Sequence, residues 1–314
     1  MNTVHKELEH YLASLYPILN KGGISCDEQR EIAYGVQLRL SQDANKVVLN
    51  IYYSEKKGLS VVVGGVKEGQ LYDFILKVTN NLRSPKIENV GFHSWTSWIG
   101  SDECGKGDYF GAPVVCAFAY DDSLSANFKA LSIKDSKLLK DTEIVTIAKA
   151  LHQNYAKRIS CIVLKPAKYN ELIAKFKKEN KNLNDLLAWL HSTNIQNLLK
   201  TQPSVQGILV DQFSPSQKVR LALKKKEVPY PCIERTGAER DLAVAAASII
   251  ARYHFLETFA SMRKFYKIDF PKGANAIVIK TAVEFAKQYG MERLGEVAKL
   301  HFKTSLQVKE RLKK

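Results

Sequence analysis

The chain is poor in the features that mark export, membranes or metal-thiolate chemistry. Its five cysteines, Cys26, Cys104, Cys116, Cys161 and Cys232, are scattered through 314 residues without the close pairs that zinc sites use. A reducing, cytoplasmic compartment fits that usage best. The opening residues, Met-Asn-Thr-Val-His-Lys-Glu-Leu, lack the basic-then-apolar layout of a secretory signal. No apolar run approaches the roughly 20 residues needed to span a bilayer. There is no internal repeat and no low-complexity segment. What remains is a globular composition, 45% hydrophobic and 25% charged, on a chain long enough for two domains of ordinary size.

Acidic side chains are the scarcer sign, 32 against 47 basic ones, for a net charge of +15 and a pI near 9.4. So basic a soluble chain implies an anionic partner, of which nucleic acid is the commonest. The excess is uneven. Residues 1–85 carry 10 basic and 9 acidic side chains, which leaves a net +14 to the remainder.

Hydrophobic spacing predicts one amphipathic helix over residues 4–20, closed by Gly22-Gly23, then three strands over 32–40, 47–53 and 59–63, and a helix over 71–82. Lys56 and Lys57 fall at the tip of an expected hairpin loop and read as solvating residues. The expected division is a small α+β domain at 1–83, a linker at 84–94 and a second domain at 95–314. In the second domain, strands are expected into Asp102-Glu103 and over 112–120, 158–164, 207–211 and 230–234. Helices are expected over about 141–153, 169–178, 183–199 and 241–266. Clustered strands followed by alternating strands and helices indicate an α/β fold, a mixed sheet flanked by helices.

The stretch Ile99-Gly-Ser-Asp-Glu-Cys-Gly-Lys-Gly-Asp-Tyr109 carries the chemistry. Asp102 and Glu103 end an apolar run, and adjacent carboxylates repel one another and resist burial unless a cation relieves them. Gly105 and Gly107 let the backbone turn and approach a ligand, and Lys106 between them suits phosphate. Asp211 repeats the pattern at the end of a second short apolar strand, and neighbouring central strands would bring it beside Asp102. A further carboxylate comes from Glu239 or Asp241, just ahead of the Ala245–Arg252 run. Asp241 starts the helical periodicity and reads as its N-cap, so the metal role is assigned to Glu239, with Asp241 as the alternative. Hard carboxylates without a His or Cys cluster favour Mg²⁺ or Mn²⁺, and carboxylates converging on paired ions support in-line displacement at phosphorus.

The motif Asp102-Glu-Cys-Gly-Lys-Gly107, with Gly111-Ala-Pro-Val-Val115, Asp135-Ser-Lys137, Asp211 and the run from Ala245 to Arg252, resembles the type 2 ribonucleases H. Lys106 in place of arginine, Glu239 near the position of the sister branch's aspartate, and the preceding extra domain point to the ribonuclease HIII branch. Two residues depart from the pattern: Gln212 follows Asp211 where a smaller residue is usual, and Glu239 is offset by one from the sister branch's aspartate. The resemblance covers roughly residues 92–305. It implies a ribonuclease H-like catalytic domain preceded by a substrate-binding domain like one repeat of TATA-binding protein. It also implies a monomeric endoribonuclease that cuts the RNA strand of RNA/DNA hybrids, leaving 5′-phosphate and 3′-hydroxyl ends. Asp102, Glu103, Asp211 and Glu239 become its metal-binding quartet, holding two ions, and Gly105, Lys106 and Gly107 hold the RNA. The alternatives are incision at single ribonucleotides in DNA, as in ribonuclease HII, and a hybrid-binding module without catalysis. His301 reads as a packing residue in an amphipathic helix.

Overall fold

Leu8, Tyr11, Leu15 and Leu19 recur at helical spacing and form the buried stripe of α1 (Thr3–Lys21), which ends where Gly23 takes a positive φ of 67°. In the computed structural model, which describes residues 3–54, 58–64, 69–83 and 91–313, the chain divides into two compact units, 1–86 and 87–314. In the first, α1 is followed by β1 (Ser25–Ile32), β2 (Gly35–Gln42), β3 (Asn45–Ser54), β4 (Gly58–Gly64) and α2 (Gln70–Arg83). The four strands form one antiparallel sheet in sequence order. Leu38, Leu40, Leu49 and Ile51 from the sheet meet Leu15, Leu19 and Ile75 from the helices in its core.

This sheet has one strand more than hydrophobic spacing indicates. β1 reads Ser-Cys-Asp-Glu-Gln-Arg-Glu-Ile and exposes all but its last residue. It lies at the sheet edge, where backbone pairing with β2 holds it and burial contributes little. The expected strand over 32–40 is in fact the end of β1, a turn in which Tyr34 sits at φ 64°, and most of β2. Lys56, Lys57 and residues 84–90 of the expected linker lie outside the described residues.

The second unit runs β5 (Ser97–Cys104), β6 (Val114–Asp121), α3 (Ser125–Ala130), α4 (Asp141–Tyr155), β7 (Ile159–Val163), α5 (Pro166–Lys178) and α6 (Leu183–Leu199). It continues through β8 (Gly207–Asp211), α7 (Lys218–Lys225), β9 (Cys232–Arg235), α8 (Leu242–Tyr266), α9 (Ala276–Tyr289) and α10 (Lys303–Leu312). The sheet order is β7-β6-β5-β8-β9, antiparallel from β7 to β5 and parallel from β5 to β9. Phe92 and His93, expected in the linker, pack into this unit, Phe92 against its core and His93 against Asp241.

Two helices clamp the sheet where β5 ends. α8 lies on one face and approaches so closely that a Cβ on Gly100 would stand 2.3 Å from the Ala243–Val244 backbone. The missing side chain of Gly100, facing the small Ala243, is what permits such proximity. α6 lies on the other face, with Ile195 and Leu198 against Ile99, Ala117 and Ile208. Asn194 pins α6 to the sheet, donating through Nδ2 to the Val115 carbonyl at 2.8 Å. Helices α3, α7, α9 and α10 fall outside the elements expected from sequence. α9 opens Ala-Ile-Val-Ile, and its β-branched residues fit a strand as well as a helix. Cys116 and Cys161, facing one another across β6 and β7, form a disulfide, which runs against the reducing compartment expected from the scattered cysteines; Cys26, Cys104 and Cys232 are free. No helix among the described residues is long and apolar enough to cross a membrane.

Candidate active site

Successive residues of a strand point to opposite faces, so β5 sends Asp102 towards α8 and both Ser101 and Glu103 towards α6. The parallel pairing of β5 with β8 runs through Ser101↔Val210. The next residues on the two strands, Asp102 and Asp211, therefore stand side by side at adjacent strand ends, about 5 Å apart by strand spacing. After β9 the chain turns at Gly237, φ 76°, into a single 3₁₀ turn, Ala238–Arg240. The amide of Ala238 donates to Asp211 Oδ1 at 3.0 Å, which anchors this turn on β8 and brings Glu239 to Asp211. The four carboxylates of the sequence reading thus converge from β5, β8 and the β9–α8 connection.

Asp241 does not join them. It caps α8, its Oδ1 accepting from the amides of Ala243 and Val244 at 2.9 and 3.1 Å and from Trp98 Nε1 at 3.0 Å. Its Oδ2 faces His93 Nε2 at 3.5 Å, and the residue is 1% exposed. With both oxygens committed to structure, Asp241 is unavailable as a ligand.

The four carboxylates divide into two kinds. Glu103 pairs through Oε1 with Lys106 Nζ at 2.6 Å and through Oε2 with His191 Nε2 at 3.2 Å. Glu239 pairs through Oε1 with Lys137 Nζ at 2.5 Å. Burial raises the pKa of both glutamates, but the His191 hydrogen bond and then Lys106 at Glu103, and the Lys137 hydrogen bond at Glu239, outweigh it and hold each below the ordinary value. Among the described residues neither aspartate stands in such an ion pair. Burial, then Glu103 and Asp211, push Asp102 well above the usual carboxylate range. Burial, then Glu239, push Asp211 to about 7.

A divalent cation fits this arrangement. It would relieve the repulsion between Asp102 and Asp211 and satisfy Glu239 Oε2, which is buried without a hydrogen-bond partner. Among the described residues no three His, Cys, Asp or Glu side chains form a finished metal cage. Lys106 and Lys137 hold Glu103 and Glu239 as counter-ions instead.

The loop after β5 is tightly constrained. Gly105 sits at φ 84°, and a Cβ there would lie 2.4 Å from the Phe255 ring, whereas a Cβ on Gly107 would meet nothing within 4 Å. Lys106 is half exposed and passes over the Phe213 ring. Lys299, wholly buried, reaches the loop from the C-terminal side: its Nζ donates to the carbonyls of Asp108, Phe110 (3.4 Å) and Gly111 (3.0 Å). Asp108 Oδ1 accepts from the Gly273 amide at 2.6 Å. Three groups at this site carried no role in the sequence reading: Lys137, His191 and Lys299. Lys137 was visible within Asp135-Ser136-Lys137, but the other two are single polar residues in apolar surroundings and give no local signal. His301 occupies a turn before α10 and no helix; it packs on Tyr169 and Phe302.

The family model for ribonuclease HII matches residues 99–305. Ribonuclease HIII of Protochlamydia amoebophila (strain UWE25) is 36% identical over 273 residues, 85% of either chain. The chain belongs to the ribonuclease HIII family. Ribonuclease HIII of Chlamydia pneumoniae is 35% identical over 268 residues, covering 83% of this chain and 84% of that one. Among solved structures, a point mutant of Bst-RNase HIII superposes with a TM-score of 0.66 at 28% identity, over 96% of this chain and 97% of that one. Bst-RNase HIII in complex with Mn²⁺ gives a TM-score of 0.65 at 27% identity, over 96% of each chain. Membership of the ribonuclease HIII family makes the chain a ribonuclease H, an endonuclease on a mixed α/β fold.

Proposed function

We propose that the chain hydrolyses the RNA strand of RNA/DNA hybrids, holding two divalent ions, Mg²⁺ or Mn²⁺, on Asp102, Glu103, Asp211 and Glu239, and leaves 5′-phosphate and 3′-hydroxyl ends. The observation that carries the reading is the pair of neighbouring aspartates, Asp102 and Asp211, both pushed upward by burial and by neighbouring carboxylates, and neither held in an ion pair among the described residues. The Mn²⁺ complex of Bst-RNase HIII supports a divalent ion in this fold. When bound, such ions supply an activated water and stabilise the oxygen that departs from phosphorus.

The chain's own residues do the rest. Lys106 and Lys137 stand on Glu103 and Glu239, the glutamates that would hold the ions. With the glutamates on the ions, each lysine would offer its positive charge to a phosphate. Gly105 shapes the loop, and Gly107 leaves its surface open to the RNA backbone. A contact with the 2′-hydroxyl is required for the choice of RNA over DNA. The first unit (1–86), with its antiparallel sheet, helps hold the hybrid for the catalytic unit (87–314). The protein works as a monomer.

A second reading, incision at a single ribonucleotide embedded in DNA, is favoured by the ribonuclease HII model that matches residues 99–305. Both substrates, end-labelled and offered side by side with Mg²⁺ and with Mn²⁺, separate the two. Repeated cuts in the RNA of a long hybrid, with products that a ligase rejoins without prior phosphorylation, are expected. Incision of the one-ribonucleotide duplex at a comparable rate would favour the second reading.

A further inference from the structure

His191 is a buried polar residue that touches the site and that the proposed chemistry leaves unused. It lies on α6 between Leu190 and Ser192, wholly buried, and both ring nitrogens have polar partners. Nε2 faces Glu103 Oε2 at 3.2 Å, and Nδ1 lies 2.7 Å from Ser101 Oγ, which is itself 2.9 Å from the Cys116 carbonyl. Ser101 and Glu103 project from the same face of β5, so the imidazole bridges two side chains of one strand. A carboxylate only accepts hydrogen bonds, so Nε2 carries the proton that Glu103 receives.

The ring is held from every side. Phe213, two residues beyond Asp211, stacks on it with centroids 5.3 Å apart and planes 18° from parallel. One turn along α6, Asn194 donates to the Val115 carbonyl and accepts from Ser160 Oγ at 2.8 Å, which fixes the helix against β6 and β7. α6 begins in a reciprocal cap between Asn182 and Asp185. The donor at Nε2 is therefore carried on a helix tied to the sheet by side-chain hydrogen bonds. Lys106, the other partner of Glu103, rides on a half-exposed stem and can leave.

We propose that His191 is a positioning residue for the metal site: its Nε2–H fixes the rotamer of Glu103, so that the carboxylate stays aimed at the ions when Lys106 departs. This rests on Glu103 being a metal ligand, as proposed above. Burying an imidazole among leucines is unfavourable unless both nitrogens are satisfied, and a purely structural role would be met by an apolar residue at this position. A hydrogen-bond partner behind a ligating carboxylate is commonly worth 10–100-fold in metal affinity or activity.

The test is Mn²⁺ binding by calorimetry on the full chain, beside thermal melting and hybrid binding in EDTA, for wild type, His191→Leu, His191→Gln, Ser101→Ala and Asp102→Asn. His191→Leu fills the space without a donor and should weaken Mn²⁺ roughly 10–100-fold while hybrid binding in EDTA stays within about twofold. His191→Gln, whose amide nitrogen can reach the place of Nε2, should recover most of that loss. Ser101→Ala frees the far side of the ring and should weaken Mn²⁺ by a smaller factor, which keeps the test informative if His191→Leu does not fold. Mn²⁺ affinity unchanged in His191→Leu, or equally poor in His191→Gln and His191→Leu, overturns the proposal. With His191→Leu unfolded, unchanged affinity in both Ser101→Ala and His191→Gln overturns it as well. If instead Asp102→Asn binds Mn²⁺ as well as wild type does, it is the reading of the carboxylate site that fails.

Discussion

Replacing Asp211 by Asn should make the metal-free protein more stable while it destroys cleavage. Asp211 sits beside Asp102 and Glu239, and burial with the neighbouring charge holds its pKa at about 7, against 3.8 for the free side chain. A carboxyl raised in this way binds its proton more tightly in the folded state than in the unfolded one. Stability therefore falls as pH rises from about 4 to about 7, and the penalty persists above that. The shift corresponds to roughly 4 kcal/mol at full strength, and solvent access on the open side of the site reduces it to roughly 1–3 kcal/mol. Asn removes the charge, keeps an oxygen for the Ala238 amide and offers an N–H to Glu239. At about 2–4 °C per kcal/mol for a unit of this size, its melting temperature in EDTA should exceed wild type by several degrees near pH 8. The difference should shrink towards zero near pH 4. With millimolar Mg²⁺ or Mn²⁺ the order should narrow or reverse, because wild type alone gains the stability of a complete ion site. An Asn variant no more stable than wild type at alkaline pH, or a gain independent of pH, would refute the description of Asp211 as an uncompensated charge.

Two other perturbations act on the loop after β5. Gly105→Ala forces a side chain onto a backbone at φ 84° and against the Phe255 ring, with a loss of about 1–3 kcal/mol from conformation alone and at least about tenfold in cleavage; Gly107→Ala, with open space around its Cβ, should melt like wild type. Lys299→Met removes the donor shared by the carbonyls of Asp108, Phe110 and Gly111, and should lower stability by about 2 kcal/mol and speed amide exchange across residues 105–111. Unaltered exchange there would mean that Lys299 does not hold the loop.

The catalytic domain was legible because its central strands are short, apolar and end in acid. The runs into Asp102 and Asp211 are buried on both faces, and each delivers its carboxylate at the C-terminal end. Asp241 could be read as a cap because it stands where the helical periodicity of α8 begins. Legibility failed where structure depends on partners distant in sequence. β1 is nearly all polar and exists because β2 pairs with it. The Cys116–Cys161 bond closes 45 residues with no local mark, since it depends on the register of β6 with β7. The lysines on Glu103 and Glu239 illustrate the divide: Lys106 lies three residues from its partner within one motif, whereas Lys137 meets Glu239 across 102 residues, a pairing that no local pattern marks. His191 gave no signal because a single histidine in a leucine-rich helix looks the same whether it packs or positions.

Single-turnover cleavage of a long RNA/DNA hybrid by wild type and by Asp102→Asn, with Mg²⁺ and with Mn²⁺, tests the central claim most directly. Asp102→Asn removes one of the two uncompensated charges, and its cleavage rate should fall by at least about a thousandfold with either ion while the hybrid is still bound. Cleavage by Asp102→Asn at the wild-type rate, or cutting by wild type in EDTA, would contradict a divalent-ion site built on these carboxylates.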